Sequence, residues 1–511
     1  MTEPAPLVSF RVALFAALLG ALVIAVPAVL YRLGDLPIVH WDESQVATDA
    51  LEMARSGFTI APTNGGVIDH YLLKPPLAIW LESLAIITLG ANEIAIRLAS
   101  VVAALGTAGI LVGWLAIYFR RPAAAFIAIA VLFSSAGYLD FHAARSGDVD
   151  SLMAFLTLGW LVAAFLYLED HPKRRRLWLT LAAVALALDF MVKSGAALIP
   201  LPAVILYALW RGRLREVMRT RAVWVAAASV MAVIVAYFGI RETVDPGYTA
   251  LAIGHDLFDR SAATLEGHAG PPSFYVDHSI NGTIGFLKPT GAFPLLVPSI
   301  IATGLLAAFG NRRIRPIAGF IALALVVILA ELSAMTTKIV WYALPLYPLA
   351  AAGIGVTVSA VLDWAVRSWP GGRRVIDGGL AAAALVIVAI VVPVNARSVD
   401  ARVLQYRADE QYATGLFLAG PVARSGQSGY VIAVDPGFEP VSFYARAIAT
   451  DNHPATLVSP TDPLPPGTTK VVSCGQATMQ EAAQGYVLVP LLTSGSCALS
   501  SVAAPAGAAT P

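Results

Sequence analysis

Apolar residues run along this chain in unbroken stretches, not in the spaced patterns of a water-soluble domain. Stretches near the roughly 20 residues that cross a bilayer fall at 9–30, 97–119, 122–139, 149–168, 177–193, 195–210, 222–240, 290–309, 317–335, 339–362 and 376–394. A further one, 77–89, is apolar but short. The pattern predicts a polytopic α-helical membrane protein with about 11–13 transmembrane helices. After about Val394 it changes. Tyr430–Val434, Lys470–Ser473 and Tyr486–Pro490 read as short strands, and Ala408–Leu418 as a helix. Residues 1–394 are therefore expected to form a transmembrane module and 395–502 a small α/β domain outside the membrane. Residues 503–511, rich in Ala and Pro, read as a disordered tail.

Composition agrees with the pattern. Of 511 residues 58% are hydrophobic and 13% charged, against about 25% charged in a soluble domain. With 34 basic and 33 acidic residues, and no basic cluster interleaved with aromatics, nucleic-acid binding is not expected. The two cysteines, Cys474 and Cys497, are too few for a disulfide framework or a cysteine zinc site. In a tail outside the cytoplasm they are able to pair; otherwise they are two thiols.

Basic residues cluster in alternate loops: Arg120-Arg121, Lys173 to Arg176, Arg211 to Arg221, Arg312 to Arg315 and Arg373-Arg374. By the positive-inside rule these loops are cytoplasmic. The opposite face then receives loops 31–76 and 241–289 and the C-terminal domain. It also collects Asp42, Glu43 and Lys74, then Arg145, Asp148 and Asp150, then Lys193, Arg260, His268, Tyr275, Lys338, Tyr342 and Tyr347. Ionisable residues at the ends of membrane spans are costly and generally have a partner or a task. Each has a plain alternative. Asp42 with Gln45 fits a capping box, Lys193 fits a snorkelling lysine, and Arg145 fits a salt-bridge partner of Asp150.

The order of these elements resembles the GT-C glycosyltransferases of the protein-mannosyltransferase and aminoarabinose-transferase group, over roughly residues 10–360. The resemblance rests on six elements: the acidic pair Asp42-Glu43; the proline corner Lys74-Pro75-Pro76-Leu77; Arg145 with Asp150; Lys193-Ser194-Gly195; Arg260, His268 and Phe274-Tyr275; and Lys338, Tyr342, Pro345, Tyr347 and Pro348. It implies a GT-C architecture and a polyprenyl-phosphate sugar donor. It also implies inverting transfer on the periplasmic face of a bacterial inner membrane, with lipid A, a lipid-linked glycan or a protein hydroxyl as acceptor. On that reading Asp42, with Glu43 beside it, supplies the general base. Lys74, Arg145, Lys193 and Arg260 clamp the donor phosphate. Asp148, Asp150, His268, Tyr275, Lys338, Tyr342 and Tyr347 line the substrate site. In the aminoarabinose branch a glutamate associated with a metal precedes the proline-corner lysine. Leu73 stands there in this chain, with Asp69 and His70 nearby as substitutes, so a divalent metal stays open but unsupported by the sequence, and no other cofactor is implied. A flippase for a lipid-linked sugar is the alternative class; it would use the same basic groups without needing Asp42 as a base.

Overall fold

The structure is a computed structural model that describes residues 10–70, 73–139, 142–255, 262–264, 267–281, 294–369, 373–434, 439–449, 456–475, 478 and 486–503. Among the described residues, eight helices are long and apolar enough to cross a membrane: Phe10–Leu30, Glu93–Tyr118, Val149–Glu169, Pro172–Leu198, Arg221–Val244, Arg315–Ala334, Leu346–Ser368 and Gly378–Ala408. Four shorter apolar helices join them: Leu77–Leu89, Pro122–Phe133, Leu201–Trp210 and Leu296–Phe309. The protein is a multi-pass membrane protein. Its lipid-facing helices carry the evidence on their surfaces. Val225, Met231 and Val235 on one and Leu385 on another are more than half exposed, an arrangement suited to hydrocarbon and costly in water.

The chain divides into two compact units. The first comprises Met1–Tyr31, Leu73–Ala78 and Leu98–Ser398, and holds most of the helical bundle. Its largest side chains meet in a knot of aromatics. Trp114 lies 5.7 Å from Phe165, Phe165 lies 5.1 Å from Phe320, and Tyr207 lies 5.0 Å from Phe320, ring centre to ring centre. A glycine sets one close helix pair. A Cβ on Gly355 of Leu346–Ser368 would collide with the carbonyl of Ala124 in Pro122–Phe133, so only glycine lets these backbones touch. Arg121 ties the same pair again, donating to the Ser359 hydroxyl at 2.9 Å and pairing with Asp363 at 2.6 Å.

Several span boundaries differ from those expected. The expected 122–139 span breaks after Phe133, where Ser134 caps the helix, and a short turn follows at Ala136–Leu139. The expected 339–362 span starts only at Leu346, because Val340–Ala343 is a single 3-10 turn. The last apolar helix does not stop at 394 but runs on as Arg373–Ala408, accommodating Pro393 within its length.

The second unit comprises Arg32–Leu72, Ile79–Arg97 and Val399–Pro511. The loop after the first span, expected within the transmembrane module, thus groups with the C-terminal domain. A five-stranded sheet forms its C-terminal part, in the order Thr456–Val458, Val431–Ala433, Lys470–Cys474, Cys497–Ala503 and Val487–Ser494. The first two pairings are parallel and the last two antiparallel. Val431, Ala433, Leu464 and Val471 fill the core on one face. Cys474 and Cys497 stand opposite each other in register and form a disulfide.

Candidate active site

Within the first unit the site grows from the start of Val149–Glu169. Asp148 is in extended conformation just before the helix, and its Oδ1 accepts the Val149 amide at 2.6 Å. A carboxylate here satisfies an amide that the helix leaves open and faces the positive end of its dipole. The other Asp148 oxygen meets Nδ1 of His142 in a very short contact. His142 has φ +59°, a left-handed conformation costing a non-glycine residue about 1–2 kcal/mol. That backbone turn holds the imidazole flat on the indole of Trp341, with ring centres 3.8 Å apart and planes 16° from parallel. Burial by itself would raise the Asp148 carboxyl. The imidazole against it, with Lys74 and Lys193 beyond, instead holds it well below the ordinary carboxylate range.

At the second residue of the helix, the fully buried Asp150 bonds the ammonium of Lys193. Lys193 is the last residue of Arg175–Lys193, and the chain leaves it through Ser194 with φ +50°. The helix therefore ends where its charge meets the start of its neighbour. The Lys193 ammonium also lies 5.0 Å from the centre of the Tyr342 ring, within cation–π range. Lys74 acts electrostatically on both Asp148 and Asp150. The second oxygen of Asp150 has no hydrogen-bond partner among the described residues. A buried carboxylate oxygen without a partner is costly.

Other residues expected at the site are held by the fold. Arg145 is buried and donates to the carbonyls of Ala28 at 2.9 Å and Tyr31 at 2.7 Å, so those nitrogens close the end of Phe10–Leu30. The Lys338 ammonium donates to the carbonyls of Leu332, Ser333 and Met335, which caps Arg315–Ala334, and burial lowers its pKa. Arg145, expected to clamp the donor phosphate, and Lys338, expected to contact substrate, thus each direct donors at helix-end carbonyls. His268 joins the same turn through its backbone, its carbonyl accepting the Lys338 amide at 2.8 Å. Tyr275 donates its hydroxyl to the Ile339 carbonyl at 3.2 Å. With Tyr347, His278 and Ser279 it lines a small cavity. Arg260 lies outside the described residues. At Leu73 the side chain is buried and the carbonyl accepts the Tyr248 hydroxyl at 2.7 Å, so this position offers no carboxylate to a metal.

In the second unit Asp42 opens the helix Asp42–Ser56 behind Trp41, which has φ +76°. The capping-box alternative does not form. Gln45, which a capping box would turn back, donates instead to Asp69 at 3.1 Å. Glu43, expected beside Asp42 at the catalytic position, turns inward. Its oxygens are taken by Arg97 at 2.8 and 3.1 Å and by the Val39 amide at 2.7 Å, and it is buried. Further along the same helix, Asp49 is fully buried. Burial, then the charge of Asp69, pushes its carboxyl up to about 9.

Residues that sequence reasoning missed are His142, Arg97 and Asp49. The signal for His142 was a histidine shortly before Arg145 and Asp148 in a short break between apolar runs. Arg97 and Asp49 gave none beyond a charge inside a helical pattern.

The chain is similar to several known proteins. Residues 73–238 match the family model described as dolichyl-phosphate-mannose-protein mannosyltransferase, a span that contains Lys74, His142, Asp148, Asp150 and Lys193. An undecaprenyl phosphate-alpha-4-amino-4-deoxy-L-arabinose arabinosyl transferase of Pseudomonas savastanoi pv. phaseolicola is 31% identical over 341 residues, 65% of this chain. The same-named protein of Shewanella sediminis is 27% identical over 255 residues, 48% of this chain. The chain's matched stretch spans 60% and 44% of those two relatives. The crystal structure of ArnT from Cupriavidus metallidurans bound to undecaprenyl phosphate superposes with a TM-score of 0.64. The match covers 97% of this chain and 99% of that one at 16% identity. The chain is a relative of the GT-C lipid-dependent glycosyltransferases and has their fold. The apo form of the same ArnT gives a TM-score of 0.60 over 95% of this chain. The GT-C elements expected from the sequence thus fall on the ends of spans, with the Lys74–Lys193 group at the start of Val149–Glu169.

Proposed function

We propose that this protein is an inverting glycosyltransferase that moves a sugar from a polyprenyl-phosphate donor to an acceptor on the periplasmic face of a bacterial inner membrane. The observation that supports the reading best is the pairing of Lys193 with Asp150, with Lys74 acting on the same carboxylates, inside the residues matched to the mannosyltransferase family. Two lysines beside the ends of apolar spans suit a phosphate whose lipid tail lies in the bilayer.

The chemistry follows from charge. The acceptor oxygen attacks the anomeric carbon, its proton passes to the Asp42 carboxylate, and the bond from that carbon to the phosphate oxygen breaks. Its electrons stay on the lipid phosphate, which leaves as an anion and needs cations, not an acid. Lys74 and Lys193 supply them, each able to exchange a carboxylate partner for the phosphate. The open oxygen of Asp150 takes a sugar or acceptor hydroxyl. Arg260 is proposed as a third cation. The acceptor is lipid A, a lipid-linked glycan or a protein hydroxyl, and the relatives' names make undecaprenyl phosphate 4-amino-4-deoxy-L-arabinose and a polyprenyl phosphate mannose the donors to try first.

The test is transfer of label from either radiolabelled donor in membranes holding wild type, Asp42→Asn or Lys74→Ala. Wild type is expected to move label from the prenyl lipid into another fraction, with both variants impaired. Full transfer by Asp42→Asn would remove Asp42 as the base. Movement of donor across the bilayer with no transfer to any acceptor would make the protein a flippase.

A further inference from the structure

The loop that leads into Asp42 is held by groups from the other end of the chain. Ile38 is wholly buried, so its amide has no water to turn to. It donates to the hydroxyl of Tyr444 at 2.9 Å. Two residues on, the His40 amide reaches the hydroxyl of Tyr412 at 3.5 Å. Tyr444 lies on the helix Glu439–Ile448 and Tyr412 on Glu410–Phe417, both in the C-terminal domain. The Tyr444 hydroxyl also donates to Glu93 at 2.7 Å, so it works as acceptor and donor at once. Its ring lies against Gly415, where a Cβ would collide with it. The helix of Tyr444 makes a further pair of ties. Arg446 pairs with Glu52, and the Ala447 carbonyl accepts Arg55 at 3.3 Å. Glu52 and Arg55 both belong to the helix that Asp42 opens.

Trp41, directly before Asp42, has φ +76°. A bulky residue in that conformation is strained and persists only where its surroundings over-determine it. Arg97 fixes the carbonyl side of the loop at Leu33, Leu36 and Pro37. Nearer Trp41, the two tyrosines hold the amides of Ile38 and His40. We propose that Tyr444, assisted by Tyr412, is a positioning residue for the transfer: its hydroxyl fixes the loop that presents Asp42 to the attacking oxygen. The C-terminal domain thereby takes part in the chemical step. The inference rests on the reading of Asp42 as general base. Without the hydroxyl, the buried Ile38 amide and Glu93 lose a partner, the Trp41 turn relaxes, and the carboxylate moves off the proton it must take. A misplacement of about 1 Å costs on the order of a hundredfold in rate. The donor phosphate is held by Lys74 and Lys193, so its binding does not draw on this hydroxyl.

Initial rates of transfer are measured across donor concentrations, with the two radiolabelled donors named above, in membranes holding quantified full-length protein. Tyr444→Phe keeps the ring against Gly415 and removes only the hydroxyl. It is expected to lower kcat by about tenfold to a hundredfold and to leave the donor KM unchanged. In the Asp42→Asn background the same substitution should cost nothing more, because the carboxylate it positions is gone. Tyr412→Phe is expected to act in the same way with a smaller loss, and it carries the test if Tyr444→Phe does not fold. A folded Tyr444→Phe, or in its place a folded Tyr412→Phe, with the wild-type kcat overturns the inference. So does a loss that appears as a raised KM, or one equally large in the Asp42→Asn background, as a purely structural role would give. Those outcomes leave the transferase reading standing. Full transfer by Asp42→Asn removes the base and with it the inference, and no transfer by wild type from either donor overturns both.

Discussion

Arg97 and Glu43 meet in a two-point pair, Nε to Oε1 at 2.8 Å and Nη2 to Oε2 at 3.1 Å, with both side chains almost wholly removed from solvent. The remaining guanidinium hydrogens reach the carbonyls of Leu33, Leu36 and Pro37 at 2.7–2.9 Å. One arginine therefore fixes the loop that delivers Asp42. Removing it strands a buried carboxylate. Arg97→Met is expected to cost about 3–5 kcal/mol, read as a lowered unfolding midpoint in detergent, and Arg97→Met with Glu43→Leu should recover part of it. If the single variant unfolds like wild type, the pair does not organise the loop.

Asp49 gives a pH signature. Its folded pKa of about 9 stands above the ordinary 3.8, so below pH 3.8 it is protonated whether folded or unfolded. As pH rises from there, the unfolded chain ionises while the folded one resists, and stability falls by at most about 1.4 kcal/mol per pH unit. The loss is complete once pH has passed the folded value. Asp49→Asn abolishes this slope. Unfolding midpoints at pH 5 and pH 8 should show the variant gaining on wild type at the higher pH; equal differences at both would place Asp49 in water.

Lys193 and Asp150 test the phosphate clamp as a unit. Lys193→Met is expected to reduce transfer by an amount equivalent to roughly 2–4 kcal/mol of transition-state stabilisation. Asp150→Asn removes the ammonium's partner and the open oxygen together. Because the two residues touch, their effects on kcat/KM should be far from additive in the double variant. Additive losses would mean that they act at separate places.

The disulfide between Cys474 and Cys497 closes a loop with a sequence separation of 23. Such a loop is worth about 3 kcal/mol on the chain-entropy account. Cys474→Ser, or wild type with a reductant, is expected to lower the unfolding midpoint of the sheet by the corresponding amount while the apolar spans stay folded, as followed by limited proteolysis of the C-terminal domain.

What was readable in the sequence follows physical lines. Spans were legible because burial in hydrocarbon demands uninterrupted apolar runs, and the strands Lys470–Cys474 and Val487–Ser494 because turn residues bound short β-branched runs. Lys193 and Asp150 stood out as charges next to such runs. The direction of a side chain was not legible. Asp42 and Glu43 are adjacent on one helix, yet helical rotation separates them by about 100°, which sends Glu43 inward to Arg97. Nor was it legible that helix-end carbonyls lie in front of Arg145 and Lys338, because those carbonyls belong to turns the local sequence does not reveal. The His142–Trp341 stack joins residues nearly two hundred positions apart, and only the packed bundle brings them together.

The contact between Gly355 and Ala124 has a consequence for how that stack can be watched. Backbones in direct contact have no layer of side chains between them to slide or re-form, so these helices keep one register. The chain leaving Pro122–Phe133 soon reaches His142, and the chain entering Leu346–Ser368 has just passed Trp341. The indole thus sits against its imidazole neighbour at one fixed place. The difference in emission between wild type and Trp341→Phe isolates the light of this one indole, and with it a report on whether the two helix ends still meet.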